Sequence, residues 1–291
     1  MATLWQNIQY KILRSGSNLT TLIWVNILVY LLINIPATLE RLFIKTNYIS
    51  LYTEKFLNLS AYLPGLLHNF WSPFTYMFMH HGIFHMLFNM LWFYWFGQIF
   101  EEYLGNKRIF GLYLLGGLAG ALLFIIGLNT IPAFVSAHTA ASVGIFGASA
   151  AVMTIVVATA TLLPDYTLSF ILIGPVKLKW IALFYVLVDF LGLDAYGSGE
   201  GISHLGGALM GFVYIKQLQS GNDWIKIISG WFKARPNLKV VSTNMSKTST
   251  GRPRQEDIDF ILDKISKSGY DSLSKNEKEI LFRASGNDGK K

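Results

Sequence analysis

Three short segments of the 291-residue chain set reactive side chains inside otherwise apolar sequence. His85 and Asn89 stand four residues apart in Phe84-His85-Met86-Leu87-Phe88-Asn89, a spacing that puts both on one helical face, one turn apart. Such a pair either satisfies itself and a neighbouring helix by hydrogen bonding, or presents two donors to one point, as an oxyanion hole requires. A metal site would need a third ligand, and the sequence has no His-Glu-x-x-His motif. Ser149 lies in Gly144-Ile145-Phe146-Gly147-Ala148-Ser149-Ala150-Ala151, at the start of an apolar run. Its small neighbours suit close helix packing, in which Ser is itself a common member. In a first helical turn, however, backbone N–H groups are unpaired and the dipole favours negative charge, so a nucleophile there gains an oxyanion donor from its own backbone. The third segment, Ser203-His204-Leu205-Gly206-Gly207-Ala208-Leu209-Met210-Gly211, aligns His204, Gly207 and Gly211 on one face. The two glycines admit another backbone. If that backbone belongs to the run opened by Ser149, His204 reaches the serine, and a Ser–His dyad is the minimum for an activated hydroxyl.

The elements that would position these groups are six hydrophobic runs, near 20–36, 82–100, 109–128, 147–163, 178–193 and 202–217. Each approaches the length of a membrane-spanning helix. The expected fold is an all-α membrane protein, a six-helix bundle in which the three reactive segments sit near the outer ends of the second, fourth and sixth spans. The long first loop (37–81) is too rich in Phe, Tyr, Leu and Trp for a solvated connector and is expected to lie in the outer interface. Leu168–Gly174 is too short to span and is expected on the inner surface. Basic residues mark the N-terminal segment, the second and fourth loops and the tail, while the third and fifth loops have none, so both termini are expected in the cytoplasm. Residues 1–19 are polar, so no cleavable signal peptide is expected, and the first run reads as a signal anchor.

Composition sets bounds on function. Hydrophobic residues make up 52% and charged residues 14%, which excludes a disordered chain or a nucleic-acid arm. No cysteine is present, which removes thiol nucleophiles, Cys-type zinc sites and Fe–S clusters. The net charge of +7 is uneven: residues 1–215 contribute +1 and the last 76 contribute +6. Trp224, Ile225, Ile227, Ile228, Trp231 and Phe232, with Lys226, Lys233 and Arg235, form a segment suited to an anionic lipid surface. After a Ser/Thr/Pro/Arg linker, Ile258, Ile261, Leu262 and Ile265 begin a helical hairpin, with Gly269 as C-cap and Ser274 and Glu277 as a capping box. That hairpin has more acidic than basic residues and is a poor reader of nucleic acid.

Trp71, His85-x-x-x-Asn89, Gly147-x-Ser149 and His204-x-x-Gly207-x-x-x-Gly211 occur in the order and spans of the rhomboid intramembrane serine proteases, which the chain resembles over residues 20–217. The resemblance implies Ser149 as nucleophile and His204 as general base. It implies His85, Asn89 and the Ser149 N–H as oxyanion stabilisers, with Gly147, Gly207 and Gly211 supporting, and no metal or cofactor. It also implies transmembrane protein substrates entering past the first loop and the fifth span. The hairpin is similar to a tail carried by some bacterial rhomboids, and the expected location is a bacterial inner membrane with the site open to the outer face. Three residues depart from the pattern. Ala150 replaces a common Gly and should favour the helix by about 0.5–1 kcal/mol. Met153 stands where some rhomboids place an aromatic ring supporting the base. Ser72 stands where many have Arg. Because the family works as a dyad, Asp189 is expected to have a structural hydrogen-bonding role, and His80 and His81 to support the first loop. His68 and His138 are expected to be ordinary loop residues.

The expected organisation is a cytoplasmic segment (1–19), the membrane domain (20–217), a juxtamembrane segment and linker (218–255) and the hairpin (256–285). The expected activity is cleavage of membrane proteins. The rivals are a rhomboid-like binder that does not cleave, and a small transporter, for which the sequence shows no inverted repeat.

Overall fold

A computed structural model describes residues 16–132, 134, 144–170, 173–192, 199–226 and 254–285. His138, most of the 234–255 linker and the Ile227–Phe232 stretch lie outside the described residues. The chain divides into two compact units, residues 1–234 and 235–291.

Helices occupy all six hydrophobic runs: α1 (Asn18–Leu39), α5 (Ile83–Leu104), α6 (Asn106–Thr130), α7 (Ser149–Leu162), α8 (Leu178–Leu191) and α9 (Glu200–Gln219). Between α1 and α5 lie α2 (Tyr48–Leu57), α3 (Leu63–His68) and α4 (Ser72–Thr75). Ser17 caps α1 by accepting from the Thr20 N–H at 3.2 Å. At the far end, Pro36 interrupts the ladder and the helix relaxes into a π-turn over Glu40–Ile44. The Glu40 carboxylate then accepts from the N–H groups of Tyr48 (2.7 Å) and Ile49 (2.8 Å), anchoring the first turn of α2.

The fold is mostly helical, as expected, and two short strand pairs stand beside the helices. Strand β1 (Leu59–Ser60) pairs antiparallel with β2 (Gly144–Ile145), with Leu59 opposite Ile145 and Ser60 opposite Gly144. Strands β3 (Thr167–Phe170) and β4 (Gly174–Lys177) form a hairpin in the fourth loop, where a short surface segment was expected. A loop too short to span still has backbone groups to satisfy, and the hairpin pairs them.

The helix packing is built on small residues. On α9, a Cβ at Gly207 or Gly211 would run into the carbonyl oxygens of Ala150 and Thr154 on α7. On α6, Gly120 faces the Ala150 Cβ and Gly116 faces Thr154. The buried Thr154 hydroxyl lies 2.8 Å from the Gly207 carbonyl and 2.9 Å from that of Ala150, within donating distance of both helices. Without a hydrophobic force between helices in lipid, this close backbone approach is what drives association. Phe93, Phe96 and Phe100 of α5 complete the core.

The outside of this unit carries many large apolar side chains. Leu32 and Ile35 on α1, Phe84 and Phe88 on α5, Leu122 on α6, Phe184 on α8 and Leu209 on α9 are all exposed. Water would penalise such a surface, whereas lipid matches it. Among the described residues, two helices, Asn18–Ile44 (α1 with its π-turn) and α6, are long and apolar enough to cross a bilayer by themselves. At 14 residues, α7 is only about 21 Å long. It is buried almost along its entire length.

In the second unit, α10 (Gln255–Ser268) and α11 (Lys275–Ser285) form the expected hairpin. Gly269 terminates α10 at φ +78°, a conformation that favours glycine. Glu277 accepts from the Ser274 N–H at 2.7 Å, and the Glu277 N–H reaches the Ser274 hydroxyl at 3.4 Å, closing the capping box. Ile261 is fully buried, but Leu262 is exposed, because two helices can cover only a narrow stripe of each other.

Candidate active site

Ser149 is the first residue of α7, and the segment before it is fixed from several sides. The β1–β2 pairing holds Gly144 and Ile145. The Gly147 N–H donates to the Tyr76 carbonyl at 2.9 Å. The Ala148 N–H points to Nε2 of the buried His80 at 3.5 Å. His81 stacks on Phe146 with centroids 3.6 Å apart. His80 and His81 thus brace the segment leading to Ser149 more directly than they brace the first loop. Gly147 has φ +123°, and a Cβ there would lie 3.0 Å from the His85 ring, so both conformation and space call for glycine.

His204 sits one turn into α9. The α7–α9 approach brings its Nε2 to 2.6 Å from the Ser149 hydroxyl oxygen. His85, Asn89, Ser149 and His204 all line one cavity of about 600 Å³. Its other walls are apolar: Trp92 from α5, Phe184 and Tyr185 from α8, and Phe170 and Val176 from the β3–β4 hairpin. Asn89 also makes a hydrogen bond of its own. Its Nδ2 donates one N–H to the His85 backbone carbonyl at 2.9 Å, within its own helix, which leaves the second N–H for another acceptor.

Ala150 is accommodated by the missing side chain of Gly120. Met153 is fully buried, and the Ser72 hydroxyl is buried without a hydrogen-bond partner. Trp71 donates its indole N–H to the Phe56 carbonyl at 2.8 Å, tying α4 to the end of α2. Among the described residues no group of three or more His, Asp or Glu is arranged to hold a metal ion.

Asp189 is the site neighbour that sequence reasoning set aside. Its Oδ1 lies 3.0 Å from Nδ1 of His204, on the side of the ring away from Ser149. The signal available in the sequence was a lone carboxylate within an apolar run, which lipid makes costly. What spacing could not show was that this face of α8 meets His204.

The helical bundle, its lipid-like exterior and a buried Ser–His contact at a helix start define a class. A rhomboid domain model matches residues 67–220, and the chain belongs to the rhomboid family, whose domain marks an integral membrane protein. The chain is also 28% identical over 180 residues to presenilin-associated rhomboid-like protein A, mitochondrial, from Danio rerio. That match covers 60% of this chain and 42% of the relative, so the chain spans less than half of that protein's length. A second model, of a family of unknown function (DUF6576), matches residues 244–287, which include the hairpin.

Proposed function

We propose that the protein is an intramembrane serine endopeptidase that cleaves membrane proteins within or beside a transmembrane segment. The observation that carries this reading is the 2.6 Å separation of Ser149 Oγ and His204 Nε2 at the wall of an apolar cavity. A substrate helix unwinds locally to present a carbonyl, so small or helix-breaking residues near the cut are favoured. Ser149 attacks, its proton passing to His204. His85, Asn89 and the Ser149 N–H receive the oxyanion, Asn89 with the N–H that the His85 carbonyl does not take. His204 protonates the leaving amine, and water then releases the acyl group from Ser149. The reading assigns no step to a metal or cofactor.

The protein is read as a six-span bundle with both termini cytoplasmic and the site open to the outer face of a bacterial inner membrane. The 20–217 unit carries catalysis, 218–255 the lipid-facing basic segment and linker, and 256–285 a cytoplasmic hairpin. With one Asn89 N–H held by the His85 carbonyl, the second reading is a rhomboid-like binder of membrane segments that does not cut. Reconstitution in liposomes with a model transmembrane substrate separates the two. The wild type cleaves, while Ser149→Ala and His204→Ala do not. Cleavage persisting in Ser149→Ala overturns the mechanism. Fluorophosphonate labelling of the wild type that is absent from folded Ser149→Ala supports an enzyme over a binder.

A further inference from the structure

We propose that Asp189 is a positioning residue for His204, holding the ring in the tautomer that can accept the Ser149 proton; its effect on turnover rests on the protease reading above. For Ser149 to give up its proton across the 2.6 Å contact, its hydroxyl must donate to Nε2, which must then present a lone pair. In a neutral imidazole the proton then sits on Nδ1. Nδ1 is shielded from solvent, and the Asp189 carboxylate is 3.0 Å away.

Both groups are mostly covered: the side chains of His204 and Asp189 are 12% and 16% exposed. Neither Nδ1 nor Oδ2 of Asp189 closes an aligned hydrogen bond, so the contact is short but off the N–H direction. Catalytic hydrogen bonds are commonly loose in the unliganded state and tighten with substrate bound. Asp189 is not among the residues lining the cavity, so it acts through His204 and not on substrate. It rides on α8, whose Trp180, Ile181, Phe184, Tyr185 and Val188 form one wall of that cavity. A segment filling the cavity therefore bears on the helix that carries the carboxylate. When His204 takes the serine proton and becomes positive, the anion beside Nδ1 compensates the charge where no water can.

A purely structural aspartate would tie α8 to α9 without selecting a tautomer, and the test separates these roles. The full chain, labelled with ¹⁵N-histidine and purified in detergent, is examined by NMR, with His204→Ala assigning the signal. The wild type shows His204 protonated at Nδ1. In Asp189→Asn the amide offers a donor to Nδ1, and the population moves to the Nε2–H form. In liposomes Asp189→Asn lowers kcat by about 10²-fold, within the range a general base contributes. KM is unchanged, and Asp189→Glu recovers part of the rate. An Nε2–H wild type, or an Asp189→Asn chain with unaltered tautomer and kcat, overturns the proposal. The wild-type tautomer and Asp189→Glu decide the matter even if Asp189→Asn fails to fold. A chain that shows the tautomer switch but never cleaves would sink the protease reading and leave the positioning role standing.

Discussion

Asn89 shows how spacing and geometry divide the work at the residue scale. The i, i+4 relation to His85 is legible from sequence alone, and both side chains do line the cavity. The orientation of the amide is not legible, because a helix offers its own carbonyl one turn back as a competing acceptor, and Asn89 takes it at 2.9 Å. If the remaining N–H of the amide binds the oxyanion during turnover, Asn89→Ala slows kcat by roughly 10²-fold with little change in KM, the signature of a contact made only in the transition state. Steady-state cleavage in liposomes measures this, and unchanged rates would return Asn89 to a packing role. Asp189 was obscured for a related reason. Its contact with His204 joins two helices, and no periodicity within α8 reports which neighbour its last turn will meet.

At the scale of elements, the small-residue faces of α7 and α9 were readable, since glycines three and seven residues beyond a histidine have few other uses. Strands β1 and β2 were not, because each has two residues and they pair across more than eighty positions of chain. The α7–α9 approach leaves no room at Gly207. Gly207→Ala improves intrinsic helix propensity by about 0.8–1 kcal/mol. Overpacking against the Ala150 carbonyl costs about 1–3 kcal/mol, so the clash outweighs the gain. The variant should unfold at lower temperature and lose fluorophosphonate labelling, because the shift moves His204, one turn away. In the hairpin, two Lys264 contacts (2.8 and 2.9 Å) and the Ser274 N–H hold the Glu277 carboxyl down at about 2, from an ordinary 4.5. A lowered folded-state value means the contribution is complete above pH 4.5 and disappears as pH falls towards 2. The hairpin is too thin to exclude water, so the effect is modest and screened by salt. Amide exchange in α10 and α11 of the full chain should accelerate between pH 4.5 and 2, beyond its intrinsic pH dependence. Glu277→Gln, which keeps the shape and removes the charge, should abolish that excess.

At the scale of the whole molecule, the charge of +7 bears on the proposed orientation. Lys107 and Arg108 open α6, and Arg108 pairs with Asp223 at 2.8 Å just beyond the end of α9, so the start of α6 and the end of α9 share one face. Lys216 and Lys226 flank that end of α9. On the positive-inside rule, this is the face proposed to lie in the cytoplasm. The other end of α6, at Thr130, lies about 37 Å along the helix axis, enough to cross a hydrocarbon core of about 30 Å. The absence of native cysteine turns this geometry into a direct experiment. Single cysteines at the exposed positions Thr130 and Gln219 introduce the only thiols in the chain. In intact cells, spheroplasted where an outer envelope intervenes, a membrane-impermeant maleimide should label Thr130→Cys. It should reach Gln219→Cys only after permeabilisation. Reversed labelling would invert the bundle and put the Ser149 cavity on the cytoplasmic side. Equal labelling of both without permeabilisation would remove the membrane between the two ends of α6, and with it the six-span reading.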